Sequence, residues 1–257
     1  MSDNKKVVLA YSGGLDTSFC VKYLTEEKGL DVYAITVNTG GFTKEQISDI
    51  ETRALYLGVK EYIAEDVTEA YYERCLKYLI FGNILKNNTY PLSVSAERVF
   101  QAIAVAEYAK SIGAKYIAHG STGAGNDQVR FDMIFNIVLP DAEIITPIRD
   151  LRLSREAEIE YLKTKGVDID AAKAMYSINQ GIWGTSVGGK ETLTSNQTLP
   201  ESAYPTQLTK NGTEDITISF EKGEPVALNG KKYNHPIELI QELDLIAAPY
   251  AIGRDIH

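Results

Sequence analysis

Five times in its first 150 residues the chain makes a short apolar run that ends in a turn: KVVLAY (6–11), DVYAITVN (31–38), EYIAED (61–66), AKYIAHG (114–120) and AEIITP (142–147). Runs of this length, bounded by turns and mostly rich in β-branched or aromatic residues, read as strands. Stretches of helical spacing lie between them. Leu15, Phe19, Tyr23 and Leu24 share one helix face, ended by Gly29; Ile47, Ile50, Ala54 and Leu57 share another, ended by Gly58. Thr43 and Gln46 have the spacing of a capping box. A helix is predicted through YYERCLKYLIF, and a longer one from Ser95 to Ser111, ended by Gly113. Strands separated by helices predict a parallel sheet with helices on both faces, an α/β fold.

Near residue 170 the texture changes. The stretch 179–205 has no clear period and reads as a long polar loop. ITISF, EPVALNG and KKY then read as a small antiparallel meander, turning at Asn229-Gly230, a pair that favours a primed hairpin. HPIELIQELDLIAAPYA reads as a further helix. The expected division is an α/β domain over 1–168 and an α+β domain over 169–257.

A chain of 257 residues with 44% hydrophobic and 24% charged residues is ordinary for a globular protein. Its net charge of −9 argues against a main affinity for nucleic-acid phosphates. The two cysteines, Cys20 and Cys75, lack a disulfide or zinc spacing and read as small apolar fillers. No apolar run approaches the ~20 residues that span a bilayer, and the polar first residues do not form a secretion signal. The expectation is a cytoplasmic protein without membrane or nucleic-acid partners.

Two glycine-rich stretches carry the chemistry. In AYSGGLDTSF, Gly13 and Gly14 separate the first strand from a helix beginning near Leu15. A helix start offers free N–H groups and partial positive charge to an anion. Glycines let a phosphate approach the backbone, and Ser12, Thr17 and Ser18 add hydroxyl donors. Asp16 is the odd member, because an acid repels phosphate unless a cation lies between them. In AHGSTGAGNDQVRF (118–131), three glycines follow the fourth strand, then Asn126, Asp127, Gln128 and Arg130. That polar set carries both signs of charge and suits a zwitterionic amino acid. Each stretch can also be read as a well-capped strand-to-helix turn.

SGGLDTS fits neither the Walker nor the dinucleotide glycine pattern. It resembles the pyrophosphate loop of ATP pyrophosphatases with the adenine-nucleotide α-hydrolase-like fold. Together with HGSTGAGNDQVRF, TYPLSVSAERV and MYSINQGIWGTS, it resembles the argininosuccinate synthase family along nearly the whole chain. The resemblance implies ATP-dependent ligation of citrulline and aspartate through a citrullyl-AMP intermediate, releasing AMP and pyrophosphate, in arginine biosynthesis. It implies ATP as substrate and Mg²⁺ with it; Asp16 reads as a helix-start residue that can also help to hold Mg²⁺, and the exact ligands are left open.

Carried over by position, the resemblance places Ala10, Tyr11, Ser12, Gly13, Gly14, Leu15, Asp16, Thr17, Ser18, Val37 and Gly120 on ATP. It places Thr122, Asn126 and Asp127 on aspartate, and Tyr90, Ser95, Asn126, Arg130, Ser177 and Ser186 on citrulline, with Asp16 and Asp127 nearest the chemistry. Family members are longer, so the second, synthetase domain is expected to be incomplete here, and a homotetramer is expected for the full-length form. The alternatives are a nucleotide-binding fragment without synthetase activity, and another pyrophosphate-loop enzyme, one that adenylates tRNA.

Overall fold

The computed structural model describes residues 4–169 and 176–254. They divide into two compact units. The first holds the chain up to Val67 and the part from Ser95 to residue 169; the second holds Thr68–Val94 and the part from Tyr176 onward. Residues 68–94 group with the second unit.

The first unit runs β1 (Lys6–Ala10), α1 (Leu15–Lys22), β2 (Asp31–Asn38), α2 (Lys44–Leu57) and β3 (Glu61–Asp66). Helix α3 (Thr68–Tyr71) and α4 (Lys77–Gly82), joined by a π-helical turn, belong to the second unit. Then come α5 (Ser93–Ser111), β4 (Tyr116–His119), α6 (Asp127–Val138), β5 (Glu143–Ile145), α7 (Pro147–Leu151) and α8 (Arg155–Thr164). The five strands form one parallel sheet in the order β3-β2-β1-β4-β5. Strand alternation explains the two layers of helices. Val7, Leu9, Val32 and Ala34 point to one face, against Phe19 and Cys20 of α1, Leu57 of α2 and Leu162 of α8. Val8, Ile35 and Ile117 point to the other, against Val105 and Ala109 of α5 and Phe131 and Phe135 of α6. Both faces are apolar because both are covered. Helix α2 starts on the predicted capping box of Thr43 and Gln46.

The chain leaves β1 toward β2 on one side and reaches β4 on the other. The carboxyl ends of β1 and β4 thus flank the point where strand order reverses, the place where open α/β sheets bind ligands.

In the second unit, the expected 179–205 loop is in part a hairpin: β6 (Tyr176–Gly181) pairs antiparallel with β7 (Gly184–Gly189). The strand pattern is hidden because Gly181, Gly184, Gly188 and Gly189 replace the β-branched residues that usually mark strands. The predicted meander is present as β8 (Ile218–Glu221), β9 (Glu224–Leu228) and β10 (Lys231–Lys232). Its turn has positive φ at both Asn229 and Gly230, as a type I′ hairpin requires. Helix α9 (Pro236–Ala247) follows.

Candidate active site

Ser12 to Gly14 leave β1 at that reversal point, and α1 starts with Gly14 as its N-cap. No side chain caps this helix, so its first N–H groups remain available to an anion. The two glycines differ. Gly13 has φ +75, and a Cβ there would lie 3.0 Å from Ile50 Cγ1. Gly14 has an ordinary φ of −76, and a Cβ there would meet only Ser12 Oγ at 3.5 Å. Gly13 is required by the backbone, whereas Gly14 is free to take a side chain as far as the fold is concerned.

The loop hydroxyls hold one another in place. Ser12 Oγ lies 3.3 Å from Thr17 Oγ1, and Ser18 Oγ donates to the Gly14 carbonyl at 2.7 Å. Arg53 of α2 donates from Nε to Ser18 Oγ at 3.1 Å and brings a cation to the loop. Tyr11 and Leu15 turn their side chains into the core, so only their backbones can meet a ligand. Burial pushes the Tyr11 phenol up to about 12. Gly120, at the end of β4, closes the other side: a Cβ there would lie 3.3–3.4 Å from atoms of Thr17 and Asp16. Its lack of a side chain lets the two loops meet.

Beyond Gly120, Thr122 and Asn126 are exposed, and Asn126 is the N-cap of α6. A cavity of about 510 Å³ opens beside Thr122, lined also by Gln128, Arg149 and Arg152. Asp127 lies between two guanidiniums, with Arg98 Nε 3.0 Å from Oδ2 and Arg130 Nη1 2.7 Å from Oδ1. Arg98 also donates to Gln101 Oε1 at 2.5 Å, and Gln101 Nε2 lies 3.5 Å from the carbonyl of Val37. A polar chain therefore runs from the end of β2 to Arg130. Buried Glu97 flanks it, bonded to Thr39 and 3.7 Å from Arg98. Burial raises the Glu97 carboxyl, and Arg98 counters part of that rise.

His119 is 1% exposed and uses both ring nitrogens: Nδ1 accepts from the Ser121 N–H at 3.1 Å, so Nε2 donates to Asp132 at 2.9 Å. Its role is to brace the glycine loop. Asp132 also binds Arg149 at 2.6 Å. The His119 hydrogen bond, reinforced by Arg149, holds the Asp132 carboxyl below its ordinary range. Such a group stabilises the fold fully above its unfolded value of about 3.9 and loses that effect as pH falls through its lower folded value. Asp132→Asn is expected to cost about 1–3 kcal/mol at neutral pH. In thermal melts, its deficit against the parent protein should shrink in acid. A deficit that does not change with pH would contradict this account.

The remaining expected residues are placed as follows. Ser95 lies in the first turns of α5, in the first unit. Tyr90, Ser177 and Ser186 belong to the second unit. Tyr90 bridges to Lys86. Ser177 is paired with Gly188 and Ser186 with Asn179, which puts both serines on one face of the β6–β7 hairpin. Trp183, in the hairpin turn, donates to the Pro91 carbonyl at 3.0 Å. Cys20 is buried and Cys75 half-buried, both as free thiols that burial raises. Arg53, Gln101 and Arg149 were not singled out from sequence, for they lie on ordinary helical faces without a local motif.

Two family descriptions match the chain: Arginosuccinate synthase N-terminal HUP domain over residues 6–168, and Arginosuccinate synthase C-terminal domain over residues 176–256. Among curated relatives, the argininosuccinate synthase of Sulfurisphaera tokodaii is 39% identical over 253 residues, covering 98% of this chain and 64% of the relative. That of Methanocaldococcus jannaschii is 41% identical over 252 residues, covering 96% and 62%. That of Lactococcus lactis is 38% identical over 262 residues, covering 100% and 65%. The chain thus spans somewhat less than two thirds of the length of the relatives it matches. Among the described residues, no helix is long and apolar enough to cross a membrane.

Proposed function

The chain belongs to the argininosuccinate synthase family, and from that membership we propose that it binds ATP, citrulline and aspartate and ligates the two amino acids with release of AMP and pyrophosphate. The observation that carries the reading is the uncapped start of α1, with Gly14 and three hydroxyls, set at the strand-order reversal beside the Gly120 loop.

In this reading the phosphates of ATP rest on the backbone from Ser12 to Ser18 and on the hydroxyls of Ser12 and Thr17, while the buried Ser18 hydroxyl, which donates to the Gly14 carbonyl, shapes the loop. Arg53 adds positive charge, and Val37 offers its backbone to the adenine. Thr122, Asn126 and Asp127 bind aspartate. Tyr90, Ser95, Asn126, Arg130, Ser177 and Ser186 are assigned to citrulline by the family resemblance. The ureido oxygen of citrulline attacks the α-phosphorus; the bond to the β-phosphate oxygen breaks and pyrophosphate leaves. The amine of aspartate then attacks the ureido carbon and displaces AMP. The protein supplies position and charge neutralisation, not a covalent nucleophile.

The side chains offer Mg²⁺ no cage of their own: among the described residues, no three His, Cys, Asp or Glu side chains are grouped to hold a metal ion. The loop presents donors, which fit phosphate. Mg²⁺ would then be carried by the phosphates of ATP, where it neutralises their charge.

We also propose a cytoplasmic location and a homotetramer. Exposed Tyr78, Phe81, Ile84 and Leu85 in the second unit give such an assembly an apolar surface to cover. Pyrophosphate release measured with ATP and aspartate, with and without citrulline, tests the activity. Release should depend on citrulline. Release that ignores citrulline, or none under any condition, would overturn the synthetase reading.

A further inference from the structure

The cavity of about 510 Å³ in the first unit lies between the loop that follows β4 and the end of α7. Most of the polar groups around it are engaged in building it. Gln128 donates to the carbonyls of Gly123 at 2.7 Å and Gly125 at 3.2 Å, and its Oε1 accepts from Arg149 at 3.1 Å. The charge of Arg149 is met by Asp132 at 2.6 Å. Two lining groups are not engaged: among the described residues, the Thr122 hydroxyl and the Arg152 guanidinium have no hydrogen-bond or ion-pair partner. The lining residues include no acid, so the cavity is positive and suits an anion.

Arg152 also holds a backbone to which an arginine is poorly suited. It ends α7 in the left-handed region, with φ 51 and ψ 45. The turn is closed by its own N–H on the Arg149 carbonyl and by the Leu153 N–H on the Ile148 carbonyl, both at 3.3 Å. Glycine is the usual residue at such a helix end, because a Cβ makes this conformation costly. Arg152 gives up that stability, and its side chain makes no bond within the described fold to compensate. A strained residue with an idle charged group, set on a cavity, points to a ligand.

We propose that Arg152 is a specificity-determining residue for the acceptor amino acid: its guanidinium takes the side-chain carboxylate of aspartate. This deepens the proposed function and rests on its assignment of Thr122, Asn126 and Asp127 to aspartate. In that assignment the amine must face citrulline, which shares Asn126. Thr122 lines the cavity, whereas Asn126 and Asp127 do not. The aspartate therefore runs from its amine near Asn126 toward Thr122, and the carboxylate farthest from the amine, that of the side chain, enters the cavity. There Arg152 offers the planar fork of donors that a carboxylate accepts. Asparagine has the same shape, but its amide is neutral and turns donors of its own toward the guanidinium.

Calorimetry with L-aspartate, L-asparagine and ATP on the parent protein, Arg152→Gly and Arg152→Gln tests the assignment. The parent should bind aspartate about 10–100-fold more tightly than asparagine, the range expected of a hydrogen-bonded charge pair. Both variants should lose that preference through weaker aspartate binding, with asparagine and ATP binding unchanged. Thermal melts separate this from damage to the fold. Arg152→Gly relieves the left-handed backbone and should melt at or above the temperature of the parent; Arg152→Gln keeps the same backbone burden and should melt with the parent. Three results would overturn the proposal: variants that keep the preference for aspartate, equal losses for aspartate, asparagine and ATP, or an Arg152→Gly that melts below the parent, which would make Arg152 a support of the fold. If the parent binds neither amino acid, the aspartate reading of the loop fails and the proposal falls with it. If the parent and both variants bind aspartate equally well, that reading stands and the proposal alone fails.

Discussion

Gly14→Val is expected to weaken ATP binding more than 100-fold, at least about 2.7 kcal/mol, while leaving the fold intact. The backbone at Gly14 is extended, with φ −76 and ψ 179, which valine adopts readily. An added Cβ would make only an ordinary contact with Ser12 Oγ. The new side chain would therefore stand among the loop hydroxyls, where the phosphate belongs. The neighbouring glycine is the wrong one to change. At Gly13, positive φ and the 3.0 Å approach to Ile50 would strain the backbone, and lost binding could not be separated from lost structure. Calorimetry with ATP, beside a thermal melt, checks both halves. Full ATP affinity in folded Gly14→Val would mean that the loop does not hold phosphate.

Arg130→Lys is expected to weaken citrulline about 10–100-fold, or roughly 1.4–2.8 kcal/mol, with ATP affinity changed by less than about twofold. Arg130 already spends one guanidinium nitrogen on Asp127 and keeps others for a second carboxylate. A lysine ammonium is a single point and would satisfy Asp127 or the substrate, not both in the same planar geometry. Because Asp127 is also held by Arg98 from the other side, the variant should not release it. The check is titration with each ligand separately. Equal losses for ATP and citrulline would show that Arg130 supports the whole unit rather than the amino acid.

Much of the first unit could be read from the chain because its signals are local. The five strands, the Gly29 and Gly58 stops and the Thr43–Gln46 box each depend on residues a few positions apart. So do the two glycine loops, whose hydroxyls and amides lie in one short run of sequence. The hairpin of β6 and β7 was obscured because glycine and polar residues occupy positions where strands usually carry branched side chains. Its register, which sets Ser177 and Ser186 on one face, cannot be deduced without seeing that pairing. Long-range partners were equally hidden. Arg53 meets Ser18 across 35 residues. In a parallel sheet every neighbour arrives by a crossover, so site chemistry gathers from distant segments. His119 uses both ring nitrogens, on Ser121 and Asp132, and no local sequence pattern marks either partner.

In the proposed reaction the loop at the start of α1 positions ATP for attack by the ureido oxygen of citrulline. An isotope transfer tests it directly. Citrulline labelled with ¹⁸O in the ureido group is incubated with ATP and aspartate, and the AMP is analysed by mass spectrometry. One labelled oxygen is expected in the AMP, since the ureido oxygen leaves bonded to the α-phosphorus. Unlabelled AMP formed at the same rate would contradict it, because water or another nucleophile would then have opened the ATP.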